Sequence, residues 1–136
     1  TYAYNTNLII QSNEQQLKER SQYFSFVRDT STVRVALKGV PLSPSSGALV
    51  FWNKQSNEVY IDIQSLPDPP AGMQYQLWAL DNGVPVDAGV FTANNTLSTF
   101  QKMKGIKNAQ AFAVTLEKEG GVASPTLSAM YVLGTI

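Results

Sequence analysis

The chain has 136 residues, 43% of them hydrophobic, and its ten basic and ten acidic side chains cancel. This length predicts one domain with a true hydrophobic core, and the lack of net charge argues against nucleic acid as a partner. Because the chain contains no cysteine and no histidine, the usual structural zinc sites, thiol nucleophiles, Ser-His triads and histidine general bases are excluded.

No apolar run in the sequence approaches the roughly 20 residues that span a bilayer, and no signal-peptide pattern opens the chain. The chain begins at Thr1 without an initiator methionine, which suits a fragment of a longer protein, although processing of a whole protein has the same result. We therefore expect a soluble chain that carries no membrane span of its own.

Residues 1–30 are predicted to be a polar helical lead. No proline or glycine occurs in residues 5–28, and residues 14–20 favour helix. A narrow apolar stripe at helical spacing runs along this segment through Ile10, Leu17, Phe24 and Val27. We expect this stripe to dock on the rest of the domain or on a partner. A long coiled coil is the alternative, and it would need three or four sustained heptads.

Residues 31–136 are predicted to form an antiparallel β-domain, because apolar and polar residues alternate in short runs separated by turn residues. Strands are predicted at 32–38, 48–52, 59–63, 74–80, 84–91, 110–116 and 129–133, with a further short strand at 97–100. Asn82-Gly83 supplies the pair of positive φ angles that a tight hairpin favours. With no helical segment between the strands, the pattern indicates a mainly β fold, an antiparallel sandwich or barrel preceded by one α-helix.

Several polar residues invite a chemical interpretation. Oxygens bunch at Asp81, Asn82, Gly83 and Asp87, but their spacing is not that of a calcium loop, so a hairpin turn is the better explanation. Glu117 and Glu119 are the carboxylate pair that a glycoside hydrolase would need. Two such residues in one strand lie beside each other and not across a cleft, so we expect no enzyme here.

Aromatic residues, a possible glycosylation sequence and a glycine pair are also candidate functional sites. Exposed rings at Trp52, Tyr60, Tyr75 and Trp78 would suit sugar binding, although packing is the favoured explanation in a domain of this length. Asn94-Asn95-Thr96 matches a glycosylation acceptor and marks a surface turn. Gly120-Gly121 lacks the following helix, lysine and hydroxyl of a phosphate loop.

Six phrases occur in an order that resembles the extracytoplasmic C-terminal domain of anti-sigma factors of the RskA (anti-sigma-K factor) family. They are Leu66-Pro67-Asp68-Pro69-Pro70-Ala71-Gly72, Tyr75-Gln76-Leu77-Trp78, Gly89-Val90-Phe91, Ala113-Val114-Thr115-Leu116-Glu117, Gly120-Gly121 and Ser124-Pro125-Thr126. The residues that match the family motif are Tyr75, Leu77, Trp78, Gly89, Phe91, Thr115, Glu117, Gly120, Gly121 and Pro125.

The resemblance implies a single-pass regulator in a bacterial cell membrane, of which this chain would be the periplasmic or extracytoplasmic domain. A cytoplasmic segment that binds an alternative sigma factor and an upstream transmembrane helix would lie outside this chain, and regulatory proteases would release the sigma factor. The resemblance implies no cofactor. The competing hypothesis is a cell-envelope module that binds glycans or mediates adhesion through its aromatic residues.

Overall fold

Alternating apolar residues build the body of the molecule as a sheet. The computed structural model describes residues 14, 17, 18, 20–93 and 100–136. Within these residues the sheet has eight strands: β1 (Thr32–Gly39), β2 (Gly47–Asn53), β3 (Val59–Ser65), β4 (Met73–Asp81), β5 (Val84–Phe91), β6 (Phe100–Lys102), β7 (Ala111–Lys118) and β8 (Met130–Thr135). A 3-10 turn at Leu127–Ala129 precedes β8, and the described residues 14, 17, 18 and 20–28 form the helix α1.

The strands follow the order β5-β4-β7-β8-β1-β2-β3-β6, and every pairing is antiparallel. The two edges of the sheet approach each other just after β6, where the backbone N–H of Lys104 donates to the carbonyl of Ala88 at 2.9 Å. The sheet is therefore nearly closed. The predicted fold class, a mainly β barrel-like domain preceded by one α-helix, is confirmed.

Turn chemistry sets the register of the β4–β5 hairpin. Asn82 and Gly83 have φ angles of 51° and 81°, the left-handed pair that matches the twist of two-residue hairpins. Asp81 pairs with Val84 directly beside this turn. The predicted hairpin is confirmed, and the other predicted strands agree within two residues except the one at 97–100. Residues 97–99 and the Asn94-Asn95-Thr96 sequence lie outside the described residues, and the strand in this region is Phe100–Lys102.

The hydrophobic core lies inside the curved sheet, because alternate side chains of each strand share one face. On β4 the inward residues are Tyr75, Leu77 and Ala79, whereas Gln76 and Trp78 point to the outer face. Other strands supply further fully buried core residues: Val35, Val50, Ile61, Phe112, Val114 and Val132. This arrangement leaves the outer face of β4 and β7 free to hold a second, polar set of contacts.

Candidate functional site

Several residues of the six phrases lie close together on the outer face of β4 and β7. The connection from β7 to β8 folds back over this face, since Val122 and Thr126 both bond to side chains that project from it. Underneath, Gln76 and Trp78 of β4 are each 1% exposed. Polar side chains are thereby buried on a face that would otherwise meet water, and each needs hydrogen-bond partners.

A first network links Trp78 to the β7–β8 connection. The indole N–H of Trp78 donates to Thr115 Oγ1 at 2.8 Å, and the same hydroxyl donates to Glu117 Oε2 at 2.6 Å. Glu117 also accepts from Thr126, through the backbone N–H at 2.8 Å and the hydroxyl at 2.7 Å. Thr115 thus both accepts and donates, and Glu117 receives three bonds, as an ionised carboxylate does.

The surroundings of Glu117 favour its charged form. Burial on its own disfavours the carboxylate, but the hydrogen bonds from Thr115 and from the backbone and hydroxyl of Thr126 outweigh it, so the pKa of Glu117 lies below its ordinary value. A carboxylate held ionised by three donors is a poor proton donor. It serves as a structural acceptor that fixes the β7–β8 connection.

A second network is centred on Gln76. Its amide Nε2 donates to Asp87 Oδ1 at 2.9 Å and to the carbonyl of Val122 at 3.0 Å, and its Oε1 accepts from the N–H of Val122 at 2.9 Å. Asp87 Oδ1 also accepts from the N–H of Gly89 at 2.8 Å, and Asp87 Oδ2 meets Lys104 Nζ at 2.5 Å. The network joins β4, β5 and the β7–β8 connection.

These contacts explain the state of Asp87. Burial disfavours its charge, but the bonds from Lys104, Gln76 and the Gly89 amide prevail and hold the pKa of Asp87 below its usual value. Its oxygens are therefore engaged with protein donors. The described residues contain no group of three or more acidic side chains that could hold a metal ion.

Three motif glycines adopt positive φ angles, and the missing side chain of Gly121 also makes room for Gln76. Gly121 has a φ of 86°, and a Cβ there would lie 2.9 Å from Val90 Cγ1 and 3.0 Å from Gln76 Oε1. Gly120 has a φ of 90° with nothing within 4 Å of its missing Cβ. Gly89, with a φ of 105°, turns β5 so that its N–H reaches Asp87. The glycine pair is thus a fold-determining turn.

The remaining motif residues pack the core beneath. Tyr75 stacks on Phe91 with ring centroids 5.9 Å apart, and its hydroxyl donates to the carbonyl of Pro67 at 2.6 Å. Burial, followed by the nearby Tyr131 and Asp68, raises the pKa of Tyr75 to about 12. Leu77 is fully buried and Pro125 half-buried beside Thr126. The motif therefore describes how this part of the fold is held together.

The two alternative site predictions fare differently from the motif. Glu117 is buried on β7, whereas Glu119 is exposed beyond the strand end and only its backbone N–H is engaged, with Gly72. The two carboxylates do not face each other across a cleft. Trp52, Tyr75 and Trp78 are 3%, 1% and 1% exposed, so these three rings are packed, which is the favoured prediction, and they form no sugar platform.

Helix α1 lies against the outer face of β2, β3 and β6 through aromatic rings. The Tyr23 ring lies 4.3 Å from that of Phe100 and 6.2 Å from that of Phe51, and Phe26 lies 4.6 Å from Tyr60, all between centroids. Burial and the neighbouring Asp62, partly offset by Arg34, raise the pKa of Tyr23. The sequence interpretation missed Tyr23 and Phe26, although their i, i+3 spacing was the available signal.

The predicted docking stripe differs from this contact. Leu17 and Phe24 are 63% and 57% exposed, so at these two positions the stripe faces away from the sheet. Val27 is half-buried, and Ile10 lies outside the described residues. The helix instead turns Tyr23 and Phe26 toward the sheet, where both rings meet aromatic partners. No described helix is both long and apolar enough to cross a membrane.

Fold and site together define a β-barrel-like scaffold domain in which the motif residues hold strands and loops to one another. Comparison with known proteins is more specific. The sequence model described as "Anti-sigma-K factor rskA, C-terminal" matches residues 6–130. The chain therefore belongs to the RskA C-terminal family, as the six phrases indicated.

A curated relative gives the scale of the similarity. The protein named "Anti-sigma-K factor RskA" from Mycolicibacterium vanbaalenii is 29% identical over 85 residues, which cover 61% of this chain and 36% of the relative. The matched part thus spans little more than a third of that protein. No solved structure gave a significant match.

Proposed function

We propose that this chain is the extracytoplasmic domain of a membrane-anchored anti-sigma factor, and that it regulates an alternative sigma factor through controlled proteolysis. The observation that carries the proposal is family membership over residues 6–130. In this scheme a cytoplasmic segment outside this chain binds the sigma factor, and an upstream transmembrane helix anchors the protein. The domain performs no chemistry of its own, and the bond-breaking belongs to regulatory proteases.

The physical basis of such control is local stability. A protease needs an extended, locally unfolded segment, and well-packed regions open rarely. The described residues of helix α1 and the three residues that join it to β1 are all exposed or half-buried. Their susceptibility to cleavage depends on whether α1 stays packed against the sheet.

The contact that controls this packing is small and aromatic. Tyr23 and Phe26 meet the cluster of Phe51, Tyr60 and Phe100, and pairs of this kind each contribute about 0.5–1.5 kcal/mol beyond their buried area. A contact of that size is strong enough to populate the docked helix and weak enough to be released by a signal. The exposed Leu17 and Phe24 remain candidates for contact with a partner.

The test uses the full-length protein in its own cells with a reporter for the promoter of its sigma factor. Replacing both Tyr23 and Phe26 by Ser is expected to raise cleavage before Thr32, seen by immunoblot, and to raise reporter activity. Lys18→Ser, at an exposed position of the same helix, is the matched control and is expected to change neither. If a Leu17→Ser protein is instead cleaved faster than the double variant, the original stripe is favoured.

Two results would overturn the proposed function itself. One is a full-length reading frame that encodes no hydrophobic span of about 20 residues ahead of this domain. The other is unchanged sigma-dependent transcription when the whole gene is deleted. Either result would leave the fold intact and would return the cell-envelope binding module as the leading hypothesis.

A further inference from the structure

A groove of about 590 Å³ lies between α1 and the turn that connects β2 to β3. This size falls within the range of about 300–1,000 Å³ that is usual for small-molecule sites. Ser21, Gln22 and Ser25 of α1 line one side, and Ser56 lines the other. The groove therefore exists only while the helix is docked on the sheet.

The helix side of the groove carries unused hydrogen-bonding groups. Ser21 and Ser25 are one helical turn apart on the same face, and Gln22 lies between them, three residues before Ser25. All three are exposed, and among the described residues none of their side chains makes a hydrogen bond. Across the groove, the Ser56 hydroxyl accepts from the Glu58 N–H at 3.3 Å, which leaves its own proton free to donate. Donors and acceptors thus face one space from two elements.

Aromatic rings complete the lining. Phe26 and Tyr60 both border the groove, with their centroids 4.6 Å apart, and both are half-buried. Rings beside hydroxyl and amide groups match ligands that present an apolar C–H face and a rim of hydroxyls. Sugars have this shape and chemistry.

The charges of the lining select among possible ligands. Asp29 and Glu58 border the groove, and none of the described lysines or arginines does, so phosphates and acidic sugars are disfavoured. Glu58 is already offset by Lys102, whose Nζ lies 3.4 Å from its Oε2, so Asp29 is the one lining carboxylate of the described residues that is left to attract a cationic ligand. Carboxylates in such a setting serve well as acceptors for hydroxyl protons.

We propose that this groove binds an uncharged saccharide, and that binding holds α1 in its docked position. Trp52 and Trp78, the alternative sugar platform, are buried, so this groove is a different site. A ligand that touches both sides stabilises the docked state over the undocked state by mass action. A signalling role for saccharide binding rests on the proposed function, whereas the binding itself does not.

The experiment titrates the ¹⁵N-labelled 136-residue chain with three uncharged trimers, chitotriose, maltotriose and cellotriose. Glucosamine trimer and galacturonic acid trimer are the cationic and anionic comparators. At least one uncharged trimer is expected to give saturable NMR shifts on both sides of the groove, at Ser25 and at Ser56. Gln22→Ala and Ser56→Ala are each expected to weaken that binding about threefold to tenfold. Ser45→Ala, an exposed serine outside the groove, is the matched control and is expected to leave it unchanged.

Protection of the helix is the second measurement. At a trimer concentration tenfold above its Kd, thermolysin cleavage within residues 20–31 is expected to slow about elevenfold. The proposal is overturned if no uncharged trimer gives saturable shifts at about 10 mM, a limit that includes millimolar sites. The proposal is equally overturned if the shifts are confined to residues outside the groove, or if only the charged trimers bind. It is also overturned if a saturating trimer leaves the rate of cleavage unchanged. None of these readouts involves a sigma factor, so a failure here is distinct from a failure of the proposed function.

Discussion

The indole N–H of Trp78 donates a hydrogen bond to the hydroxyl of Thr115, with 2.8 Å between Nε1 and Oγ1. Trp78 belongs to β4 and Thr115 to β7, and the two side chains are 1% and 0% exposed. The Thr115 hydroxyl in turn donates a hydrogen bond to Glu117, and Glu117 accepts one from Thr126. The Trp78–Thr115 bond therefore connects three phrases of the family motif. This part of the motif therefore forms one connected hydrogen-bond network.

Thr115→Val tests this hydrogen-bond network. Valine keeps the shape but removes both hydrogen bonds, leaving the Trp78 N–H without an acceptor and Glu117 with one donor fewer. We expect the free energy of unfolding in urea at pH 7 to fall by about 1–3 kcal/mol. Thr135→Val on the exposed side of β8 is the matched control, with an expected change within about 0.5 kcal/mol. Equal effects of the two substitutions would contradict the network.

Glu117 gives the fold a pH dependence of known sign. Because its pKa is lower in the folded chain than the ordinary value of about 4.3, the folded state gains stability from its ionisation. That gain is fully present above the unfolded pKa, and it is lost as the pH falls through the folded pKa. Glu117→Gln is therefore expected to be destabilised at pH 7, with the difference from the natural chain shrinking as the pH falls below the unfolded pKa of about 4.3 and through the lower folded pKa.

Urea midpoints measured across this pH range provide the check. Glu119→Gln removes an exposed carboxylate two residues further along, so its curve is expected to run parallel to that of the natural chain. A Glu117→Gln protein whose destabilisation stays constant as the pH falls through this range would show that the ionised carboxylate is not the stabilising species.

The strands were predictable because their cause is local. Alternation places Val33, Val35 and Leu37 on one side of β1, and Asn82-Gly83 specifies a two-residue hairpin whatever surrounds it. The outer-face networks were not predictable in the same way. Gln76 is covered by Val122, which lies 46 residues further along the sequence, and Glu117 is bonded to Thr126, nine residues further along. Alternation does not describe such contacts, so in the sequence both buried residues resemble ordinary polar surface positions.

The orientation of α1 shows the same limit. Heptad spacing places Leu17 and Phe24 on one face of a helix, but it does not determine which face of the helix packs against the sheet. That choice is made by Phe51, Tyr60 and Phe100, which come from three different strands. Only the folded sheet brings these rings together, and their partners on the helix are Tyr23 and Phe26.

Gly121 and Gly120 form a matched pair for separating strain from crowding. Alanine at either position must adopt a positive φ, at about 1–2 kcal/mol. At Gly121 the new Cβ also meets Val90 and Gln76 at 2.9 and 3.0 Å, while at Gly120 it meets nothing. Gly121→Ala is expected to lower the free energy of unfolding by about 1–3 kcal/mol more than Gly120→Ala does. Equal losses in urea unfolding would mean that the β7–β8 connection is free to move away from β4.

Asp87 and Lys104 lie where the two edges of the sheet approach each other. The ion pair is exposed, with 64% of the Lys104 side chain and 35% of the Asp87 side chain accessible, so solvent screens it. Lys104→Met is therefore expected to lower the free energy of unfolding by no more than about 1 kcal/mol. That small loss should vanish near 1 M salt, where the screening length is about 3 Å.

Asp87→Ala is expected to be the more damaging of the two changes, because it also removes the acceptor for the Gln76 amide and for the Gly89 N–H. We expect a loss of about 1–2 kcal/mol that persists at high salt, allowing for the exposed edge of the carboxylate. Urea unfolding of both variants at low and high salt separates the contributions. If the two variants lose the same amount at low salt and both recover at high salt, Asp87 acts only as a charge; if the Asp87→Ala loss persists, its hydrogen bonds hold the turn of β5 on which the closure of the sheet depends.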